Sequence, residues 1–157
     1  KGVVHNMARA PQGGDTDQIK GVASGECGVA LTNTYYLARM IKSTKAEDKA
    51  VVDKVRVVFP NQGTSGTHVN IAGAGVAKYA KNRDNAIQFM EFLSSPFAQD
   101  YFANGNNEFP TVKGLKIDNP AIKAMGGDNF KAETVPLGVV AKNMTKVQQM
   151  LDRVGYK

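Results

Sequence analysis

The sequence predicts an α/β architecture, and three observations carry that expectation. Tyr35, Tyr36, Leu37, Met40 and Ile41 recur at helical spacing directly after the polar run Thr32-Asn33-Thr34. Ala86, Phe89, Met90 and Leu93 repeat at i, i+3, i+4 and i+7, which defines one apolar helix face. Between these two, Val55 to Phe59 reads VRVVF, an alternation that suits a strand and is stopped by Pro60. With 42% apolar and 22% charged residues among 157, the chain has the composition of a globular domain with a real core.

Taken in order, the turn-rich stretch Gln12 to Asp15 leads into a helix through Ile19 and Val22 toward Ser24, with Asp15 or Thr16 as its cap and Gly25 at its end. Gly28 to Leu31 reads as a short buried strand, and the tyrosine helix follows. Ala46 to Lys54 suits another helix. Pro60 to Gly66 reads as a connecting loop, and the small-residue segment THVNIAGAGVAKYA after it as a further strand and a crossing between lobes. Asn82 or Asp84 caps the helix over Ala86 to Leu93. Ser95-Pro96 starts the next helix, since proline is tolerated at a first position whose amide has no partner, and Phe97, Tyr101 and Phe102 give it an apolar face before Gly105 ends it. Val147, Met150, Leu151 and Val154 give the tail helical spacing, with Asn143 or Thr145 as cap.

The net charge of +6 invites a nucleic-acid reading, but the cations are not clustered. Lys42, Lys45, Lys49 and Lys54 are interleaved with Glu47, Asp48 and Asp53, the pattern of a solvated mixed face, so no nucleic-acid partner is expected. No apolar run approaches the roughly 18 residues needed to cross a bilayer. Cys27 stands alone, which rules out an intrachain disulfide and a thiolate-rich metal site, and reads as a small buried hydrophobe. The opening Lys1-Gly2 has neither an initiator Met nor the zones of a signal peptide, so the start is expected to be cut, processed or incomplete. GTSGTH and IAGAG match neither the phosphate-cradling nor the dinucleotide glycine motif, and no catalytic carboxylate pair, nucleophile elbow or metalloprotease helix is present. No enzyme activity is expected.

Adjacent tyrosines at a helix start carry the chemistry. A hard trivalent cation prefers anionic oxygen and can strip a phenol of a proton that ordinarily leaves near pH 10. Neighbours on a regular helix point about 100° apart, so both phenols reach one ion only where the helix is just beginning. By residue type alone the pair reads more readily as core or interface aromatics beside Leu37. The local motif changes that reading. The stretch PQGGDTDQIKGVASGECGVALTNTYYLARM, with its element Asn33-Thr34-Tyr35-Tyr36, resembles the ferric-iron-binding proteins of bacterial ABC importers. GTHVNIAGAGVAKYA, NAIQFMEFLSSPFAQDYFA, NEFP and the closing helix extend the resemblance over nearly the whole chain.

That resemblance implies part of a two-lobed periplasmic binding protein of type II, in which the chain crosses between lobes and iron sits in the cleft. It implies that residues 1–61 and 117–157 belong to the C-terminal lobe and 62–116 to the other lobe, with the N-terminal part of the fold absent. Tyr35 and Tyr36 are then ligands of Fe3+. Further ligands are expected to precede residue 1, because His5 and His68 sit in segments unlike the family's ligand-bearing stretch and read as structural or solvent-facing, His5 near a strand. Asn33 holds a synergistic anion such as carbonate in some members, or orients a phenolate. Asp15 stands where some members carry an asparagine of the anion pocket; its carboxylate argues against an exogenous anion, and a plain helix cap is its alternative role. The implied partners are the membrane permease of an iron ABC importer and a missing N-terminal segment of the same protein, and the implied location is the periplasm or a lipid anchor outside the cytoplasmic membrane. The alternative is the same fold tuned to a small oxyanion or organic anion, with the tyrosines structural.

Overall fold

Side-chain hydrogen bonds fix the starts of three of the helices, at Gly14, Ser95 and Asn119. The computed structural model describes residues 1–116 and 118–156, so the expected lobe boundary at Ile117 lies outside the described residues. The described residues form α1 (Gly2–His5), α2 (Asp15–Ser24), α3 (Thr34–Lys42), α4 (Ala46–Val52), α5 (Arg83–Leu93), α6 (Pro96–Gly105), α7 (Pro120–Ala124) and α8 (Leu137–Arg153).

The start of α2 differs from expectation by a residue. Gly14, not Asp15 or Thr16, occupies the N-cap, and the Asp17 carboxylate reaches back to accept from the Gly14 amide at 2.8 Å. That bond satisfies an amide the helix cannot, and it leaves the Asp15 side chain free to turn elsewhere. Gly25 ends α2 at φ 82°, a left-handed conformation that costs glycine nothing. Ser95 caps α6 as expected, its Oγ accepting from Ala98 N at 3.2 Å with Pro96 at the first helical position. α8 begins well before Asn143, right after Pro136, because Leu137, Val140 and Met144 extend the apolar repeat upstream.

The main core gathers Ile19 of α2, Leu37, Ala38 and Met40 of α3, Val55, and Ala121, Ile122 and Met125 at α7. Each large aliphatic in it contributes about 1.5–3 kcal/mol by leaving water. Two buried asparagines tie α6 to α7. Asn119 is wholly buried; its Nδ2 donates to Ala103 O at 2.8 Å and to Asn107 Oδ1 at 2.9 Å, and its Oδ1 accepts from Ala121 N at 3.0 Å.

The expected strands are the main correction. Among the described residues there is no β-ladder. Gly28 to Leu31 lacks regular structure, with Val29 and Leu31 exposed rather than buried. Val55 to Phe59 keeps the alternation, Val55 buried and Val58 exposed, yet pairs with nothing. In the segment after Gly66, Thr67 forms an isolated parallel bridge with Ala132. A strand is defined by a neighbour that exchanges hydrogen bonds along its length, and among the described residues the first two segments have none and the third has it at Thr67 alone. His5, expected near a strand, closes the short helix α1, and there is no strand beside it among the described residues. Phe97 and Tyr101, expected to face a core, are exposed, whereas the opposite side of α6, with Ala98 and Ala103, is buried.

The bridge at Thr67 joins two segments far apart in the chain. Thr67 N donates to Lys131 O and Glu133 N to Thr67 O, each at 2.8 Å, while Gln62 exchanges two side-chain bonds with the Lys131 backbone. His68 pairs with Glu133 alongside. Gly66 sits at φ 93°, and a Cβ there would lie 2.7 Å from the Ala132 carbonyl carbon, so this close approach requires glycine.

Candidate functional site

Tyr35 and Tyr36 occupy the first turn of α3, and their rings lie side by side. Their ring centroids lie 4.4 Å apart with the planes tilted by 32°. One helical turn on, the Arg39 guanidinium stands 5.3 Å from both ring centroids. Positions i+3 and i+4 share a helix face, so this cation was legible from spacing and was missed.

Asn33 is the N-cap of α3, but its side chain does not cap. Its backbone amide donates to Asp15 Oδ1 at 2.7 Å and its Nδ2 to the same oxygen at 3.3 Å, while Thr32 Oγ1 donates to that oxygen at 2.9 Å. Asn33 Oδ1 in turn accepts from Asn70 Nδ2 at 3.3 Å. Asp15, Asn33, Tyr35 and Tyr36 thus form one contiguous cluster, with Thr32 and Asn70 as members that sequence reasoning did not name. Asn70 lies 37 positions from Asn33, and no local pattern announces such a contact.

The electrostatics follow from these contacts. Partial burial opposes ionisation of Asp15, but the Asn33 amide, the Thr32 hydroxyl, its own amide and the Asn33 side chain together outweigh it and hold the carboxyl below its usual range. The Tyr35 phenol is pushed up, first by its hydrogen bond with the Tyr36 hydroxyl, then by burial and by the negative field of Tyr36 and Asp15, against the pull of Arg39. A cation taken up at Tyr35 therefore has to displace a firmly held proton.

An open cavity of about 460 Å³ has Tyr36 and Arg39 in its wall, together with Thr16, Lys42, Lys45 and Asp48. His68 is engaged with Glu133, and His5 is exposed at the end of α1. Among the described residues no three His, Cys, Asp or Glu side chains cluster as a metal site, so hard-metal chemistry in this part of the fold would rest on the tyrosines. Half-buried Cys27 is free.

The model for the family described as bacterial extracellular solute-binding protein matches residues 1–127. The chain belongs to that family. Its members bind solutes rather than transform them, which agrees with the absence of any catalytic motif. The chain is 44% identical to iron uptake protein A2 of Synechocystis, across 100% of this chain and 45% of that relative. It superposes on the Trichodesmium protein IdiA (FutA) in complex with iron and citrate with a TM-score of 0.90 and 49% identity, covering 99% of this chain and 48% of that one. For the ferric binding protein from Campylobacter jejuni the TM-score is 0.91 at 36% identity, over 99% and 48%. The chain spans less than half the length of these relatives, and its fold is the corresponding part of their two-lobed, type II architecture.

Proposed function

We propose that this chain carries one wall of a ferric-iron site in a solute-binding protein that delivers iron to an importer. The observation that carries the proposal is the placement of Tyr35 and Tyr36 side by side, 4.4 Å between ring centroids, in the first turn of α3. Two phenolates offer a hard cation anionic oxygen, and Arg39 beside both rings offsets part of their charge. The Synechocystis, Trichodesmium and Campylobacter relatives, named for iron uptake, iron with citrate and ferric binding, support the same cargo. The remaining ligands come from the other half of the protein, and the cleft closes over the metal.

In this reading residues 1–61 and 117–157 build the C-terminal lobe, 62–116 belong to the other, and the unpaired segments Gly28 to Leu31 and Val55 to Phe59 find their strand partners in the remainder of the fold. The protein works in the periplasm, free or lipid-anchored, and hands Fe3+ to the membrane permease of an ABC importer. A second reading, a binding protein for a small oxyanion or organic anion, is favoured by the three cations Arg39, Lys42 and Lys45 around the cavity beside Tyr36. A ferric titration of the parent protein that contains this chain separates the two. A visible phenolate-to-iron band is expected, and it is lost in the Tyr35→Phe, Tyr36→Phe double variant. A folded parent that stays colourless, or a double variant with unchanged iron affinity, refutes the ferric reading.

A further inference from the structure

The loop from Pro60 to Thr67 is clasped to the segment around Lys131 from several sides. Thr67 exchanges backbone bonds with Lys131 and Glu133, each at 2.8 Å; Gln62 Nε2 donates to Lys131 O at 3.0 Å, and Lys131 N donates to Gln62 Oε1 at 2.7 Å. The Thr67 hydroxyl closes the loop on Pro60 O at 2.7 Å, and His68 pairs with Glu133. Just beyond this clasp, Asn70 Nδ2 donates to Asn33 Oδ1 at 3.3 Å. The step from Thr67 to Asn70 spans at most about 10 Å of chain, which limits how far the clasp and the N-cap of α3 can separate.

That link meets the tyrosine helix at the residue that sets its entry. Asn33 Nδ2 is turned to Asp15 at 3.3 Å, so Oδ1 is the side left to receive Asn70, and the amide is held from both sides in one orientation. Asn33 O in turn accepts from Tyr36 N at 3.4 Å. Asn70 is exposed and outside the core, so a change there acts through this contact rather than through packing.

We propose, on the ferric reading above, that Asn70 is a positioning residue for the tyrosine pair: through it the clasp at Thr67 holds the N-cap of α3, and with it Tyr35 and Tyr36, in place for the metal. A shift of the clasp is thereby passed to the two phenols.

In the parent protein, release of Fe3+ to excess EDTA and ferric affinity are measured for wild type, Asn70→Ala, Asn70→Asp, Gln62→Ala and the Gln62→Ala, Asn70→Ala double variant. Asn70→Ala should lose about two- to tenfold in affinity, the worth of one hydrogen bond, chiefly as faster release, with the unfolding midpoint of the metal-free protein unchanged. Asn70→Asp keeps the shape but sets an acceptor against Asn33 Oδ1, so it should lose at least as much. Gln62→Ala loosens the other end and should also weaken iron binding, and the double variant should lose no more than the larger single loss, because the link is already cut. Unchanged ferric affinity in Asn70→Ala, or losses that simply add in the double variant, overturns the proposal. The metal-free protein gives a readout that does not depend on the cargo: Gln62→Ala should move the Tyr35 and Tyr36 backbone amide resonances when Asn70 is present and leave them in place in the Asn70→Ala background. If wild type shows no ferric band while these resonances behave as stated, the cargo is wrong and the link stands. Tyrosine amides that ignore Gln62→Ala, or respond equally without Asn70, sink the link whatever the cargo.

Discussion

Replacing Asn119 by Ala should destabilise the protein by about 3–7 kcal/mol. The figure follows from what the side chain touches. As the N-cap of α7, Asn119 accepts from the Ala121 and Ile122 amides, and losing such a cap costs roughly 1 kcal/mol. Its Nδ2 also serves Ala103 O at 2.8 Å and Asn107 Oδ1 at 2.9 Å, and with Asn119 and Asn107 both buried, each acceptor left without a donor costs about 1–3 kcal/mol. α7 contributes Ala121 and Ile122 to the core shared with Leu37, Ala38 and Met40 of the tyrosine helix, so the damage reaches the site's support. Urea denaturation of wild type and variant gives the difference directly, with the slope checked for constancy. Asn119→Asp should be no milder at neutral pH, since it keeps the cap acceptor but turns a buried donor into a charge facing two oxygens. A loss below about 1 kcal/mol for Asn119→Ala would refute the reasoning, because it would mean that those acceptors find other partners.

Three further outcomes follow from local geometry. Asp15 is held below the usual carboxylate range in the folded protein, so its contribution is complete above the ordinary value of about 4 and is lost as the pH falls through the lower folded value; Asp15→Asn should flatten that part of the acid-stability curve, measured by thermal melts from neutral to acidic pH. Gly66→Ala should cost at least 1 kcal/mol, since it combines a φ of 93° with a Cβ 2.7 Å from the Ala132 carbonyl carbon, and denaturant unfolding checks it. Ferric affinity should rise with pH, because Tyr35 binds metal as phenolate yet holds its proton more firmly than an ordinary phenol; each proton displaced adds about one decade per pH unit, so Tyr35→Phe should make the slope shallower in a competition titration.

Helices were legible where their ends carry strong local chemistry. Ser95-Pro96 announced α6, and Gly25 the end of α2. The same grammar in Asn119-Pro120, a capping residue before a first-position proline, marks α7 and was overlooked because the helix is a single short turn. Strands were less legible, since alternation records which side chains face inward while pairing depends on a distant neighbour. Val55 and Val58 keep the alternation with no ladder to join among the described residues. In the candidate site, Tyr35, Tyr36, Asn33 and Asp15 were all nominated, and the last two do meet. What remained hidden was the sense of the meeting: Gly14, not Asp15, is the N-cap of α2, and the Asp15 carboxylate turns to the N-cap of the next helix instead. Asn70 could be found from structure alone, as its partner is remote in the chain.

The most direct test of the tyrosine site is anomalous diffraction at the iron edge from crystals of the iron-loaded parent protein. A single anomalous peak within bonding distance of the Tyr35 and Tyr36 hydroxyl oxygens is the predicted result. A peak elsewhere, with both phenols unligated, would contradict the ferric reading of this site.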